Sequence, residues 1–328
     1  MPNQPVVILH SQFSPQPCRE EALAIEQTDM IAEVLRKSGF YVKKIAFSFE
    51  IVKIIEELRQ INPQFVFNLV EEVEGSGSFL HLAPALLDYL NIQYTGCSTE
   101  ASFLTTNKIV AKKILTAHQI ATPEWLSEEA DGPIASLERY IVKPISEDGS
   151  SSIDENAVVS IQDVGELRRI LRLAEIKSGK KNFAERYIDG REFYIGMLGR
   201  QDAPHILPAV ELKYFGFEAA NKPKVRSYPA KWDAQSFEYQ NTEINLDFAP
   251  QDRPATEEMQ RIARKCWSIF ALKGYASVDF RVDRSGKPWV LEINTNPYLH
   301  ADVSSFVAAA YKDNIPFEEI IQQIVSAI

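Results

Sequence analysis

The sequence predicts an α/β fold, and three observations carry that prediction. Short apolar runs alternate with amphipathic stretches through roughly the first hundred residues. Glycines and prolines fall between these segments as stops. Two period-two segments flank a Ser-Gly turn near residue 285.

Val6-Val7-Ile8-Leu9 is the first strand. Residues 19–38 read as a helix with Ala22, Ile25, Ala32 and Leu35 in phase, stopped by Gly39. Phe40-Tyr41-Val42 opens a second strand, Ile51 to Leu58 forms a helix, and Phe65 to Leu69 is a third strand. Residues 79–90 read as a further helix. Strands alternating with helices imply a parallel sheet covered on both faces. No Gly-x-Gly-x-x-Gly follows the first strand, which disfavours a nicotinamide or flavin enzyme.

Tyr94 to Ser98 marks a boundary, after which Thr106-Asn107-Lys108 caps a helix running to about His118. Tyr140 to Pro144 is a strand and 163–176 a helix; Phe183–Tyr187 and Phe193–Leu198 are strands joined through Asp189-Gly190. A long helix covers 256–273 and ends at Gly274, two strands cover 277–283 and 289–293, and a last helix begins near 317.

The chain has 328 residues, 45% hydrophobic and 24% charged, so it is globular rather than disordered and is long enough for more than one core. A net charge of −10 argues against an extended nucleic-acid surface. No apolar run is long enough to span a bilayer, and Met1-Pro2-Asn3-Gln4-Pro5 does not read as the start of a signal peptide, so a cytoplasmic protein is expected. Cys18, Cys97 and Cys266 are far apart and read as reduced, incidental thiols.

The segments Ser277–Asp283 and Pro288–Asn294 carry the chemistry. Val278, Phe280 and Val282 point one way and Ser277, Asp279 and Arg281 the other; Leu291 and Ile293 are expected in the core, with Glu292 and Asn294 facing away. A turn at Ser285-Gly286 sets Asp279 opposite Glu292 and Ser277 opposite Asn294, unless a bulge shifts the register. Like charges directly opposite are unfavourable on a sheet, and a hard divalent cation reverses that sign. A solvated outer face would carry the same residues.

Lys143 ends an apolar strand and precedes a small-residue loop, Ser146 to Ser152, able to approach phosphate oxygens but lacking a Walker Gly-Lys-Ser/Thr. Lys108 stands at a helix start, where a cation opposes the dipole unless an anion lies near. Glu185 and Glu192 bracket Arg186-Tyr187-Ile188 with acceptors that suit an adenine edge and a ribose.

Taken together, these segments resemble the ATP-grasp ligases, closest to the D-alanine–D-alanine ligase group. The resemblance rests on Tyr94-Thr95-Gly96, Asn107-Lys108, Val142-Lys143-Pro144, Gly149-Ser150-Ser151, Glu185 with Glu192, Ala230-Lys231-Trp232, Val278-Asp279 and Leu291 to Pro297. It implies an ATP-grasp fold: an N-terminal parallel α/β domain (1–102) and two α+β lobes (103–188 and 189–328) clasping ATP. It implies that Lys108, Lys143 and Lys231 bind phosphates, with Ser150 and Ser151 in the loop over them. Glu185 and Ile188 would meet adenine and Glu192 the ribose; Asp279, Glu292 and Asn294 would hold Mg²⁺, or Mn²⁺ in its place. Lys231, Ser150 and Arg281 would serve the catalytic step. The implied reaction joins a small-molecule carboxylate, an amino acid or peptide, to an amine through an acyl phosphate, releasing ADP and phosphate. A homodimer is also implied.

The match is uneven. Family members carry Arg two residues before the metal-binding Asp; here that position is Ser277, and Arg281 or Arg226 could substitute. Asn296-Pro297-Tyr298-Leu299 replaces the family's Ser-Pro-Gly-Met, and Trp232 replaces a Tyr. Glu20 and Glu21 are candidates for gripping an ammonium. The histidines are scattered and are expected to be isolated structural residues; His300, shortly after the Asn294 loop, is the one to test. A ligase acting on substrates other than two D-alanines is therefore expected. The rival readings are D-alanine–D-alanine ligation, an ATP-binding regulatory protein without turnover, and a kinase on the same fold.

Overall fold

The computed structural model describes residues 4–129, 139–147, 153, 155–200 and 202–328. The first unit is β1 (Val6–Ser11), α1 (Arg19–Lys37), β2 (Val42–Phe47), α2 (Ile51–Ile61), β3 (Val66–Leu69) and α3 (Leu82–Leu90). Its three strands are parallel in the order β2-β1-β3. Successive β1 residues face two different cores. Val6 and Ile8 meet α1, while Val7 and Leu9 meet α2 and α3, so the sheet is covered on both faces. The buried stripe of α1 runs through Leu23, Gln27, Ile31, Val34 and Leu35; Ala22 and Ile25 lie beside it, half-buried. Gln27 stands in that stripe because its Oε1 accepts from the Leu299 amide at 2.5 Å.

Next come α4 (Thr99–Thr106) and α5 (Lys108–Ala117). Asn107 ends one helix and caps the other, its Oδ1 accepting from the Val110 amide at 3.1 Å. The helix α4 has too little amphipathic contrast to be seen in sequence. A four-stranded antiparallel sheet follows, ordered β4-β7-β5-β6, from β4 (Trp125–Leu126), β5 (Arg139–Pro144), β6 (Val158–Ser160) and β7 (Asn182–Arg186), with α6 (Val164–Ser178) across it.

The third sheet is antiparallel and six-stranded, ordered β11-β10-β8-β12-β13 with β9 beside β8. It is built from β8 (Gly190–Arg200), β9 (Ala203–Ile206), β10 (Val210–Tyr214), β11 (Thr242–Asn245), β12 (Gly274–Asp283) and β13 (Pro288–Asn294). The strands β7 and β8 therefore do not pair with each other; the chain passes from one sheet to the next through Tyr187, Ile188 and Asp189. Gly190 is required there, since a Cβ would come within 2.0 Å of the Val282 carbonyl oxygen.

The short helices α7 (Tyr228–Trp232) and α8 (Phe237–Gln240) precede α9 (Arg253–Ile269); α10 (Ser305–Lys312) and α11 (Phe317–Ser326) close the chain. The α9 helix stops four residues short of the expected end, and Gly274 instead opens β12 at φ +72. It packs Met259, Ile262, Cys266 and Trp267 on Val278, Phe280, Val290 and Ile293. That contact turns Ser277, Asp279 and Arg281 to the opposite face, as period two requires.

Candidate active site

The hairpin pairs Asp279 with Glu292 and Ser277 with Asn294, and the register then slips, with Phe280 opposite Val290. Leu291 is the extra residue of a β-bulge. It was expected in the core; the bulge instead leaves it half-buried on the cleft wall beside Glu292. The turn is fixed by Asp283, whose Oδ1 accepts from the Ser285 and Lys287 amides at 2.9 and 3.1 Å.

One cleft between the four- and six-stranded sheets gathers most of the expected residues: Lys108, Lys143, Glu185, Ile188, Glu192, Lys231, Asp279, Arg281 and Glu292 all line it. Asn294 is the exception. It sits at the next outward position after Glu292 but does not line the cleft, and its Nδ2 lies 3.5 Å from Ser277 Oγ. Ser150 and Ser151 lie outside the described residues; of the loop 146–152 only Ser146 and Glu147 are described.

The cations of the cleft meet its carboxylates. Lys108 Nζ lies 3.1 Å from Glu292 Oε2 and donates to the Glu147 carbonyl at 2.6 Å, which resolves the conflict of a cation at the start of α5. Lys143 Nζ is 2.9 Å from Glu185 Oε1. The other oxygen, Glu185 Oε2, is held by Lys112, a residue the sequence did not single out. Lys112 is 1% exposed and also donates to Thr122 Oγ1 at 2.6 Å. Burial pushes its ammonium down to about 8 against the pull of Glu185. Burial alone would raise the Glu185 carboxyl, but Lys112 and Lys143 together hold it below the usual range.

Arg281 does not reach toward the hairpin's acidic pair. Its Nη2 lies 2.5 Å from Glu192 Oε2 and also meets the Lys224 carbonyl, while Tyr214 donates its hydroxyl to Glu192 at 2.8 Å. The geometry thus sets Arg281 to hold Glu192. Arg226 is the cation whose field reaches Asp279, Lys231 and Tyr194. Ser277 is fully buried, with its Oγ 3.5 Å from Asn294 Nδ2.

Asp279 and Glu292 are pushed apart. Burial and the facing Glu292 and Glu192 raise Asp279 well above the carboxylate range. Glu292 is subject to the same burial, yet Lys108, Lys143 and Lys231 pull it down to about 2. Asp279 Oδ1 is buried with no hydrogen-bond partner among the described residues. An orphaned carboxylate oxygen facing a second carboxylate fits a divalent cation, and two carboxylates with an amide are oxygen donors of the kind Mg²⁺ takes. Among the described residues no group of three or more His, Cys, Asp or Glu side chains offers an alternative metal site. Burial and Arg226 lower the Lys231 ammonium.

A second cavity adjoins the cleft and shares Glu147 with it. Its lining includes His10, Glu20, Glu71, Glu72 and Lys180. Burial raises the Glu20 and Glu72 carboxyls; Lys231 acts on the first and Glu147 on the second. Glu21 also lines this cavity, but its oxygens cap α1 by accepting from the Ser14 and Cys18 amides at 2.8 and 3.0 Å. His300 is structural: its Nδ1 accepts from the Asp302 amide and its Nε2 faces Glu26, both at 3.2 Å. Cys97 and Cys266 are buried free thiols and Cys18 is exposed.

A nucleotide-sized cleft closed by two antiparallel sheets, with buried lysines over an acidic pair, is the architecture of the ATP-grasp ligases. Within that class the chain belongs to the D-ala D-ala ligase C-terminus family, whose model matches residues 133–326. The D-alanine–D-alanine ligase of Aquifex aeolicus is 27% identical over 312 residues, covering 94% of this chain and 96% of its own. The solved structure of the Bacillus anthracis D-alanine–D-alanine ligase complexed with ATP has the same fold, with a TM-score of 0.73 at 20% identity over 99% of this chain and 97% of that one. The VanG D-Ala:D-Ser ligase of Enterococcus faecalis shares it too, with a TM-score of 0.72 at 15% identity and 99% of both chains covered. No helix of the described residues is long and apolar enough to cross a membrane.

Proposed function

We propose that the chain is an ATP-dependent carboxylate–amine ligase whose substrates are not two D-alanines. The observation that carries the reading is the single cleft in which Lys108, Lys143 and Lys231 surround the Asp279–Glu292 pair. In this reading Lys143 and Lys231 hold phosphate oxygens, Lys108 moves from Glu292 to a phosphate, Glu185 and Ile188 meet the base, and Glu192, braced by Arg281, takes the ribose. Asp279 and Glu292, with Asn294 beside them, would hold Mg²⁺, which neutralises phosphate charge when bound. The γ-phosphoryl leaves the β-phosphate oxygen for a substrate carboxylate oxygen, giving ADP and an acyl phosphate. The amine nitrogen then attacks the acyl carbon, the carbon–oxygen bond to phosphate breaks, and the amine's proton departs. Positioning and charge neutralisation suffice for the first step, so no protein nucleophile is needed.

Two features support a substrate pair other than two D-alanines. Ser277 is buried and uncharged where the family carries an arginine, leaving Arg226 to face the developing charge. The adjoining cavity carries Glu20, Glu71 and Glu72, more carboxylates than one α-ammonium requires, which favours a substrate with a second cationic amine. The domain division at 102 and 188 follows the same reading, the cleft lying between the second and third sheets.

The test is phosphate release from Mg·ATP with pooled D- and L-amino acids, diamines and dipeptides, with product masses recorded. Release that requires a pair and yields an adduct one water lighter than their sum supports the reading. Robust D-alanyl-D-alanine formation overturns the substrate claim, and phosphate retained on a product identifies a kinase.

A further inference from the structure

We infer that Lys112 is a positioning residue that sets the base selectivity of the nucleotide cleft by holding Glu185 as an ionised acceptor. The inference rests on the reading above, in which Glu185 faces the base. Glu185 is 1% exposed and its two oxygens go to two different lysines, Oε1 to Lys143 at 2.9 Å and Oε2 to Lys112. Lys143 lines the cleft; Lys112 does not, and lies behind Glu185. Lys112 is anchored independently of any ligand. It donates to Thr122 Oγ1 at 2.6 Å, Thr122 in turn donates to the Val290 carbonyl at 2.8 Å, and the ammonium sits 5.9 Å from the Trp125 ring centre. The chain α5–Lys112–Glu185 thus fixes the carboxylate from the protein side.

The chemical consequence concerns what Glu185 can accept or donate. A carboxylate only accepts, so it suits a purine with an exocyclic amine at position 6. A protonated carboxyl can donate, and so tolerates a purine with a carbonyl there. With both lysines present the charged form is held; with Lys112 removed, a fully buried carboxylate keeps one cation, and desolvation favours its neutral form. Lys112 never needs to touch the nucleotide to decide between them.

The experiment is calorimetric binding of Mg·ATP and Mg·ITP to the full chain, wild type against K112M, with K112R as the conservative variant. Wild type is expected to prefer ATP; K112M should lose about tenfold in ATP affinity while ITP affinity changes less than twofold, and K112R should recover part of the preference. A merely structural role would weaken both nucleotides alike, and that result overturns the inference. Equal binding of both nucleotides by wild type also overturns it. Absence of ATP binding by wild type overturns the ligase reading instead. Should K112M not fold, T122V removes the hydroxyl that receives the ammonium; it should shift the ATP-to-ITP ratio in the same direction, and an unchanged ratio sinks the inference.

Discussion

The two adjoining cavities are built on opposite electrostatic plans. In the first cleft Lys108 meets Glu292, Lys143 meets Glu185 and Arg281 meets Glu192, and Asp279 is the carboxylate left unmatched among the described residues. In the second cavity Glu20 and Glu72 stand with carboxyls raised by burial, and the cavity's Lys180 is engaged by Glu147 at 2.9 Å. A paired wall is preorganised before any ligand arrives, whereas a wall of partly buried carboxylates is stabilised by a cation that comes with the ligand. In the proposed function the paired wall takes ATP and the wall of carboxylates takes a substrate amine.

Removing a carboxylate from the paired wall should cost the most. Glu185→Ala leaves Lys112 and Lys143 buried together, and urea unfolding should show a loss of about 3–5 kcal/mol. A loss below about 1 kcal/mol would mean that the pairing contributes little to stability. Glu292→Gln should lower turnover by about 10²–10³-fold and also lower the unfolding midpoint at neutral pH, because relief of the repulsion with Asp279 offsets only part of the lost interaction with Lys108, Lys143 and Lys231. Phosphate-release rates near wild type would show that the hairpin does not carry the reaction.

The pH response should separate Glu292 from Glu20 and Glu72 by sign, with Asp279 on the side of the latter pair. Glu292 falls from 4.5 to about 2 on folding, so its contribution to stability is present above pH 4.5 and is lost as pH drops toward 2. Glu20 and Glu72 are raised above 4.5, so the folded state binds protons the unfolded chain has released, and stability falls as pH rises from 4.5 through their raised values. The double variant Glu20→Gln, Glu72→Gln should therefore gain on the order of 1 kcal/mol near neutral pH and leave the acid limb unchanged. A matching loss in stability would reverse the assignment of the second cavity. The smallest effect belongs to the turn: Asp283→Ala removes acceptors for Ser285, Lys287 and the Trp289 indole and should cost about 1 kcal/mol in thermal unfolding, without altering nucleotide affinity.

Sequence reasoning reached the two halves unequally for the same physical reason. The pairing of Asp279 with Glu292 follows from strand alternation and a Ser-Gly turn, both local. The bulge at Leu291 has no signature in residue type, so the outward turn of that leucine was not visible. Lys112 lies on an amphipathic helix where lysines are ordinarily solvated, and only the arrival of β7 buries it. Arg281 shares a strand face with Asp279, but its engagement with Glu192 depends on β8 lying alongside. The second cavity draws on α1, β3 and the segment after β5, whose meeting no local pattern encodes. The helices α4 and α10 were missed because each is short and adjoins another helix.

The bulge gives this hairpin a reading frame. Beyond the slip, Val290, Trp289 and Pro288 hold their faces only because one residue is spent without a partner. Substitutions at Leu291 change the surface of one wall. Deletion of Leu291 itself would remove the bulge and keep Glu292 opposite Asp279 and Val290 opposite Phe280, whereas loss of a paired residue with the bulge retained would invert the positions back to the turn. The strand can therefore lose its one unpaired residue, but no paired one, without turning Val290 away from α9.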